Sequence, residues 1–171
     1  MELLGDDGFM LEIRGARISD IPAITGIYNE AILETVATFD TESKSATEQE
    51  SWFSEHGEVY PILVAERSGS VVGWVSLNRW SDSKTYGFTA KMSLYIGKSH
   101  RGRGYGRRLL EAVLTEARCR EFHIILARVA DDNAKVLHLL ESFEFEAIGI
   151  MNGAGYKFGR FIDVHQLQKI L

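Results

Sequence analysis

The chain has 171 residues, 45% of them hydrophobic, with a formal net charge of -5, one cysteine and two prolines. That length and apolar content suit one domain with a sizeable core. The acidic balance argues against nucleic acid or an anionic membrane as the main partner, and the single cysteine, Cys119, excludes an internal disulfide and fits a reducing cytoplasm. Residues 1–10 are acidic, with an apolar run too short for a signal peptide, and read as a flexible N-terminal extension to a single domain over residues 11–171. No apolar stretch approaches membrane-spanning length.

In chain order, residues 11–18 predict a strand. Ser19 or Asp20 then caps a helix with Pro22 in its first turn, and Ile24, Ile27, Tyr28, Ala31 and Ile32 recur at helical spacing. After a loop through Thr38, Phe39 and Asp40, Thr47 with Glu50 makes a capping box for a short helix carrying Trp52 and Phe53. Residues 62–66 and 71–77, joined around Ser68 and Gly69, read as an antiparallel hairpin. A polar loop leads into a long strand over residues 87–97. Its alternation sets Phe88, Ala90, Met92, Leu94 and Ile96 on one face and Thr89, Lys91, Ser93 and Tyr95 on the other.

A glycine-spaced loop opens the next helix, which runs to about Cys119 and buries Leu109, Leu110, Val113 and Leu114; the default role of Cys119 in its last turn is packing. Residues 123–129 predict a buried strand, parallel to the strand before that helix. Asp131, Asp132 and Asn133 then cap a helix whose inner face is Val136, Leu137, Leu140 and Phe143, and strands over residues 145–150 and 156–164 close the chain. The succession is that of a mixed α/β layer structure.

Arg101, Gly102, Arg103, Gly104, Tyr105 and Gly106 sit where unpaired backbone N–H groups and the helix dipole favour an anion, and where glycines allow close backbone approach. The dinucleotide pattern G-x-G-x-x-G fails because Arg107 takes its third glycine position, and no Lys-Ser or Lys-Thr follows to complete a phosphate loop. What the loop does match is R-x-x-G-x-G, through Arg101, Gly104 and Gly106. It resembles the pyrophosphate loop of the GCN5-related N-acetyltransferases (GNAT superfamily). Further fragments are similar to the phosphinothricin acetyltransferase branch: Ile27-Tyr28-Asn29, residues 37–42, Trp52-Phe53, Val64-Ala65-Glu66, Gly73-Trp74, Tyr86, Thr89-Ala90, residues 93–96, Asn133, residues 155–160 and Asp163.

The resemblance implies an α/β fold with a mostly antiparallel sheet, a parallel strand pair splayed at the cofactor site, and flanking helices. It implies transfer of an acetyl group from acetyl-coenzyme A to the primary amine of a small molecule by direct attack on the thioester, without a metal, in a cytoplasmic homodimer. On this pattern Leu94, Tyr95 and Ile96 pair with the pantetheine arm, residues 101–106 hold the pyrophosphate, and Asn133 meets the pantetheine or simply caps its helix. One amide of the strand polarises the thioester carbonyl, and Tyr95 takes a catalytic place beside it. Phe39, Trp80, Tyr86, Thr89 and Lys157 fall where acceptor-binding residues lie, although Phe39, Trp80, Tyr86, Tyr156 and Lys157 equally suit a dimer surface.

Three positions depart from the branch. Its usual pattern T-A-E-x-S-x-Y reads Thr89-Ala90-Lys91-Met92-Ser93-Leu94-Tyr95 here, so the expected carboxylate base is Lys91. A cationic lysine cannot accept a proton. It can lower the pKa of a nearby amine, or stand as a half-exposed strand residue. Ser83 replaces an arginine used for substrate carboxylates, and Leu140 replaces a His or Tyr near the leaving thiol, with His138 off that register. Glu144 takes the place of a usual glycine at no chemical cost. These departures leave two alternatives open beside a small-molecule transferase: an acyl-coenzyme A binding module without catalysis, and acetylation of a protein amine.

Overall fold

A computed structural model describes residues 2–4, 10–130 and 133–171. The order is β1 (Glu2–Leu4), β2 (Met10–Gly15), α1 (Ile21–Glu34), α2 (Ala46–His56), β3 (Ile62–Arg67), β4 (Ser70–Arg79), β5 (Thr89–Ile96), α3 (Tyr105–Cys119), β6 (Ile124–Ala130), α4 (Ala134–Glu141), β7 (Glu146–Lys157) and β8 (Arg160–Ile170). The strands form one sheet in the order β1-β2-β3-β4-β5-β6-β8-β7. Every neighbouring pair is antiparallel except β5 and β6, which are parallel and joined through α3. The mixed sheet with a single parallel pair is the architecture expected. β1 lies within the segment assigned to the N-terminal extension and pairs with β2; Asp131 and Asp132, expected to cap α4, lie outside the described residues.

Alternation along the central strands builds a layer on each face. Leu63 and Ala65 of β3 and Val75 and Leu77 of β4 pack with Leu109, Leu110, Val113 and Leu114 of α3. Ile62, Val64 and Trp74 point the other way and pack with Ile24 of α1, with Trp52 and Phe53 of α2 beside them. Side chains of a strand alternate faces, so one hydrophobic strand serves both layers. Gly73 sits where β4 passes close beside β5. A Cβ there would lie 2.4 Å from Ile96 Cδ1 and 3.0 Å from the Tyr95 carbonyl oxygen.

Local expectations fail at five places, each for a readable reason. The capping box of α2 is Ser45 with Glu48, two residues before Thr47 and Glu50: Ser45 Oγ accepts from the Glu48 amide at 3.3 Å and Glu48 Oε2 accepts from the Ser45 amide at 2.8 Å. Phe88 precedes β5 and is exposed. Cys119 is exposed because the inner stripe of α3 ends at Ala117. Residues 156–164 do not form one strand. They are a hairpin whose turn residues Phe158 and Gly159 both have positive φ, the type I′ requirement met unusually by a phenylalanine. Glu144 has φ +62, so replacing a glycine there carries backbone strain, offset by an ion pair with the buried Lys169 at 3.0 Å.

The start of α1 is fixed to β2 and β3 by Arg14. Its guanidinium binds both Asp20 oxygens at 2.7 and 2.9 Å and Glu66 Oε2 at 2.6 Å, and Asp20 also accepts the Arg17 amide at 2.7 Å. The bond from Arg14 holds the Asp20 carboxyl below its ordinary 3.8 against the opposing effect of burial. The stability this carboxylate contributes is therefore complete above 3.8 and is lost as pH falls through its lower folded-state value. Asp20→Asn is expected to cost about 3 kcal/mol at neutral pH. Urea unfolding should show the variant losing less further stability than the parent between neutral pH and acid below the ordinary carboxylate range.

Candidate active site

β5 and β6 pair at only three positions, Thr89 with Ile124, Ala90 with Ile125 and Lys91 with Leu126. Beyond these β5 stays with β4 as far as Ile96, while β6 stays with β8 as far as Ala130, and a cleft opens between them. Backbone bonds on either side set which groups face it. The Gly97 amide bonds to the Val72 carbonyl on the β4 side, and the Ile124 amide bonds to the Phe88 carbonyl on the β6 side. Odd-numbered residues of β5 therefore spend their N–H and C=O on β4. Met92, Leu94 and Ile96 direct theirs into the gap. Of these, the Ile96 carbonyl accepts from Arg101 Nε at 3.0 Å. The cleft has a volume of about 290 Å³, and its walls include residues 92–95, 126–130, Asn133, Leu139 and Leu140. An extended ligand entering it would meet a sheet edge on one side and apolar side chains around it.

At the open end of β5 the chain passes through a short 3-10 turn, Lys98–His100, and reaches α3 with Gly102 at φ +75 and Gly104 at φ +79. Gly104 is the N-cap of α3, and among the described residues no side chain caps the helix. The first-turn N–H groups are thus presented to whatever lies beyond the helix end, where the dipole favours negative charge. A pyrophosphate fits that end, and an extended arm fits the edge of β5. The side chains do less than the sequence suggests. Arg101 braces the loop through the Ile96 carbonyl and Glu30, Arg107 lies over the Phe143 ring, and Arg108 is 3.7 Å from Glu111. Tyr105 is 2% exposed and packs in the core, leaving its backbone alone for an anion. A Cβ added at Gly106 would meet Leu94, Ile96 and Leu139 at ordinary contact distance.

Asn133 lines the cleft, and its side chain makes no capping bond, so capping does not occupy its amide. Tyr95 divides its roles. Its backbone is paired with Trp74, and its ring faces α1, 5.1 Å from Tyr28 and 4.9 Å from Trp74. Burial pushes the Tyr95 hydroxyl up to about 12, and burial also raises Tyr28. Both phenols are neutral, proton-bearing groups at neutral pH. The Tyr28 hydroxyl lies 3.1 Å from Thr38 Oγ1 and donates to Asp40 Oδ2 at 2.9 Å.

Phe39, Trp80 and Lys91 all line the cleft. Lys157 does not line it. It is 4% exposed and donates to the Thr38 carbonyl at 2.8 Å, so it positions the loop over residues 37–40. Desolvation lowers its pKa, with the Asp40 charge opposing. Tyr86 is exposed in a 3-10 turn, and Thr89 pairs with Ile124 at the closed end; neither is on the cleft wall. His138 is exposed and lies away from the cleft, as its register suggests, and Leu140 is on the wall. Among the described residues no group of His, Cys, Asp or Glu is placed to hold a metal ion.

Three wall residues outside the expected site set bring backbone or charge to the cleft. Met92 is one, visible only through backbone parity. Arg128 is another, with its guanidinium 5.2 Å from the Trp80 ring centroid. Its one signal was a charge inside the apolar run of β6. Asp40 is the third.

The family whose profile matches residues 24–145 is the acetyltransferase (GNAT) family. The chain is 35% identical over 159 residues to the L-amino acid N-acyltransferase MnaT of Escherichia coli, covering 92% of each. The structure of yncA from Salmonella typhimurium with its cofactor acetyl-CoA superposes with a TM-score of 0.92 at 33% identity, covering 94% of each chain. A phosphinothricin acetyltransferase from Sinorhizobium meliloti in complex with acetyl-CoA superposes at 0.91 with 29% identity, covering 94% of this chain and 88% of that one. This chain belongs to the GNAT family of acetyltransferases. Within the family it falls in the phosphinothricin acetyltransferase-like branch.

Gly155 brings the closing hairpin against Phe39 of the cleft wall. A Cβ there would lie 2.6 and 2.7 Å from two ring atoms of Phe39. Gly155→Ala should push that ring off the hairpin and raise the KM for the acceptor about tenfold. Calorimetry with acetyl-coenzyme A should show cofactor binding unchanged.

Proposed function

We propose that this protein transfers the acetyl group of acetyl-coenzyme A to the primary amine of a small molecule, and that the acceptor carries an anionic group beside its amine. The observation that carries the reading is the gap between β5 and β6, with backbone groups turned into it and the uncapped N-terminus of α3 at its open end. Met92 and Leu94 would pair with the pantetheine arm, residues 102–106 would take the pyrophosphate, and the Asn133 amide would bond the pantetheine from across the cleft. An N–H of the β5 edge would stabilise the negative charge that develops on the thioester oxygen. Tyr95, neutral and buried beside that edge, would supply a proton near the departing sulfur.

Lys91 and Arg128 support the anionic acceptor. Both are exposed to the cleft, and among the described residues neither side chain has an ion-pair partner. Two cations on one cleft wall, without ion-pair partners among the described residues, favour a carboxylate or similar anion. MnaT is named for L-amino acids, which belong to that class. A homodimer in the cytoplasm completes the reading. The outermost strand β7 leaves Ile148 and Ile150 at least half exposed, and Tyr156, Phe158 and Phe161 are exposed at its hairpin turn, an apolar surface that a second copy would cover. Cys119 has no disulfide partner.

Calorimetry with acetyl-coenzyme A, followed by thiol release on adding a panel of amines, tests the reading. Saturable binding is expected, with one thiol released per amine acetylated and faster release for amino acids than for their amides. Binding without release across the panel would contradict transfer. No binding would contradict the cofactor site.

A further inference from the structure

The transferase reading leaves the ammonium proton of the acceptor without a destination, because the strand position beside the reacting edge carries Lys91. We infer that Asp40, on the loop between α1 and α2, is the group that takes it; this rests on the reading above. Among the described residues lining the cleft, Asp40 is the single carboxylate. It also borders the two cavities on the α2 side, and Ser93 borders all three with it. An acceptor coming from that side reaches the β5 edge past Asp40.

Its surroundings suit a proton acceptor that is held still. Tyr28 donates to Oδ2 at 2.9 Å, and Lys44 Nζ lies 3.1 Å from the same oxygen. The Asp40 amide bonds to Thr38 Oγ1 at 3.3 Å, and Lys157 pins the Thr38 carbonyl. Both side-chain partners take Oδ2. Among the described residues Oδ1 has no hydrogen bond, on a side chain that is 41% exposed. One oxygen is anchored and the other is open to an ammonium.

Other groups nearby are committed or remote. Both ring nitrogens of His56 lie against carbonyl oxygens, Nδ1 at 2.7 Å from Trp52 and Nε2 at 3.0 Å from Asn78 Oδ1. Glu48 closes the capping box of α2, and Asp82 is fully exposed beside Arg79.

In the step, Asp40 Oδ1 removes one proton from the ammonium, and the freed lone pair forms the C–N bond to the acetyl carbon. The C–S bond breaks, and its electron pair leaves with sulfur. Tyr95 protonates the departing thiolate and is recharged by the second nitrogen proton, and the Asp40 proton returns to water. The balance is ammonium plus acetyl-coenzyme A giving amide, coenzyme A thiol and one proton.

The test compares Asp40→Asn with the parent on two nucleophiles: the best alkylamine of the panel, protonated at neutral pH, and an acyl hydrazide, already neutral. The variant should lose about 100-fold in kcat/KM on the alkylamine and less than about threefold on the hydrazide. The alkylamine deficit should shrink as pH rises toward the amine's own pKa. Each comparison of nucleophiles is a ratio within one preparation, so partial unfolding of the variant does not alter it. Should the parent not accept the hydrazide, the pH arm decides. An equal deficit for both nucleophiles, a deficit constant with pH, or no deficit would overturn the assignment. A parent that releases no thiol with any amine would instead overturn the transferase reading.

Discussion

β5 and β6 share three paired positions and then part, each keeping its other partner. A sheet interrupted in this way has backbone donors and acceptors facing a gap in the middle of the molecule, where they must find a partner or be wasted. The apolar layers around α1, α2 and α3 back the sheet on both faces, and pairing with β4 fixes the parity of β5. From that parity follow the groups that meet an extended ligand, Met92 and Leu94, and the face on which Lys91, Ser93 and Tyr95 stand. α3 begins where the gap opens, so the same crossover that makes the strands parallel also brings a helix N-terminus to the ligand's end.

Much of this was legible in the chain. The hairpin around Ser68 and Gly69, the stripe of α3 and the parallel crossover follow from apolar periodicity, and the glycines between Arg101 and Gly106 mark the anion-binding end. What stayed hidden depends on pairing between distant segments. Lys157 reads as a cation available to a ligand, yet β7 folds back to bury it against the Thr38 carbonyl 119 positions away. Arg101 reads as an anion ligand, and Glu30 of α1 engages it first. The Phe158–Gly159 turn was invisible because its first residue is one that rarely takes positive φ. Asp40 reads as an ordinary loop carboxylate until α1 and β5 bring Tyr28 and Ser93 beside it.

Lys91, where the family resemblance leads one to expect a carboxylate, does not stand alone in the cleft. Arg128 adds a second cation across the gap, and the carboxylate that remains stands on a loop instead of a strand. The loop is held from three directions, by Tyr28 of α1, Lys44 ahead of α2 and Lys157 of β7. In the proposed reading the acceptor side and the cofactor edge are thus built from different elements. The aromatic group of Tyr28, Trp74 and Tyr95 supports both, since it packs against β5 from the acceptor side and carries the hydroxyl that anchors Asp40.

In the proposed reading the edge of β5 becomes a strand partner for the arm of acetyl-coenzyme A. Residue-level amide hydrogen exchange with and without that ligand tests it most directly. Exchange at Met92 and Leu94 should slow sharply on binding, while Ser93 and Tyr95, already bonded to β4, should change little. Equal slowing at all four positions, or protection confined to residues away from β5, would contradict the account.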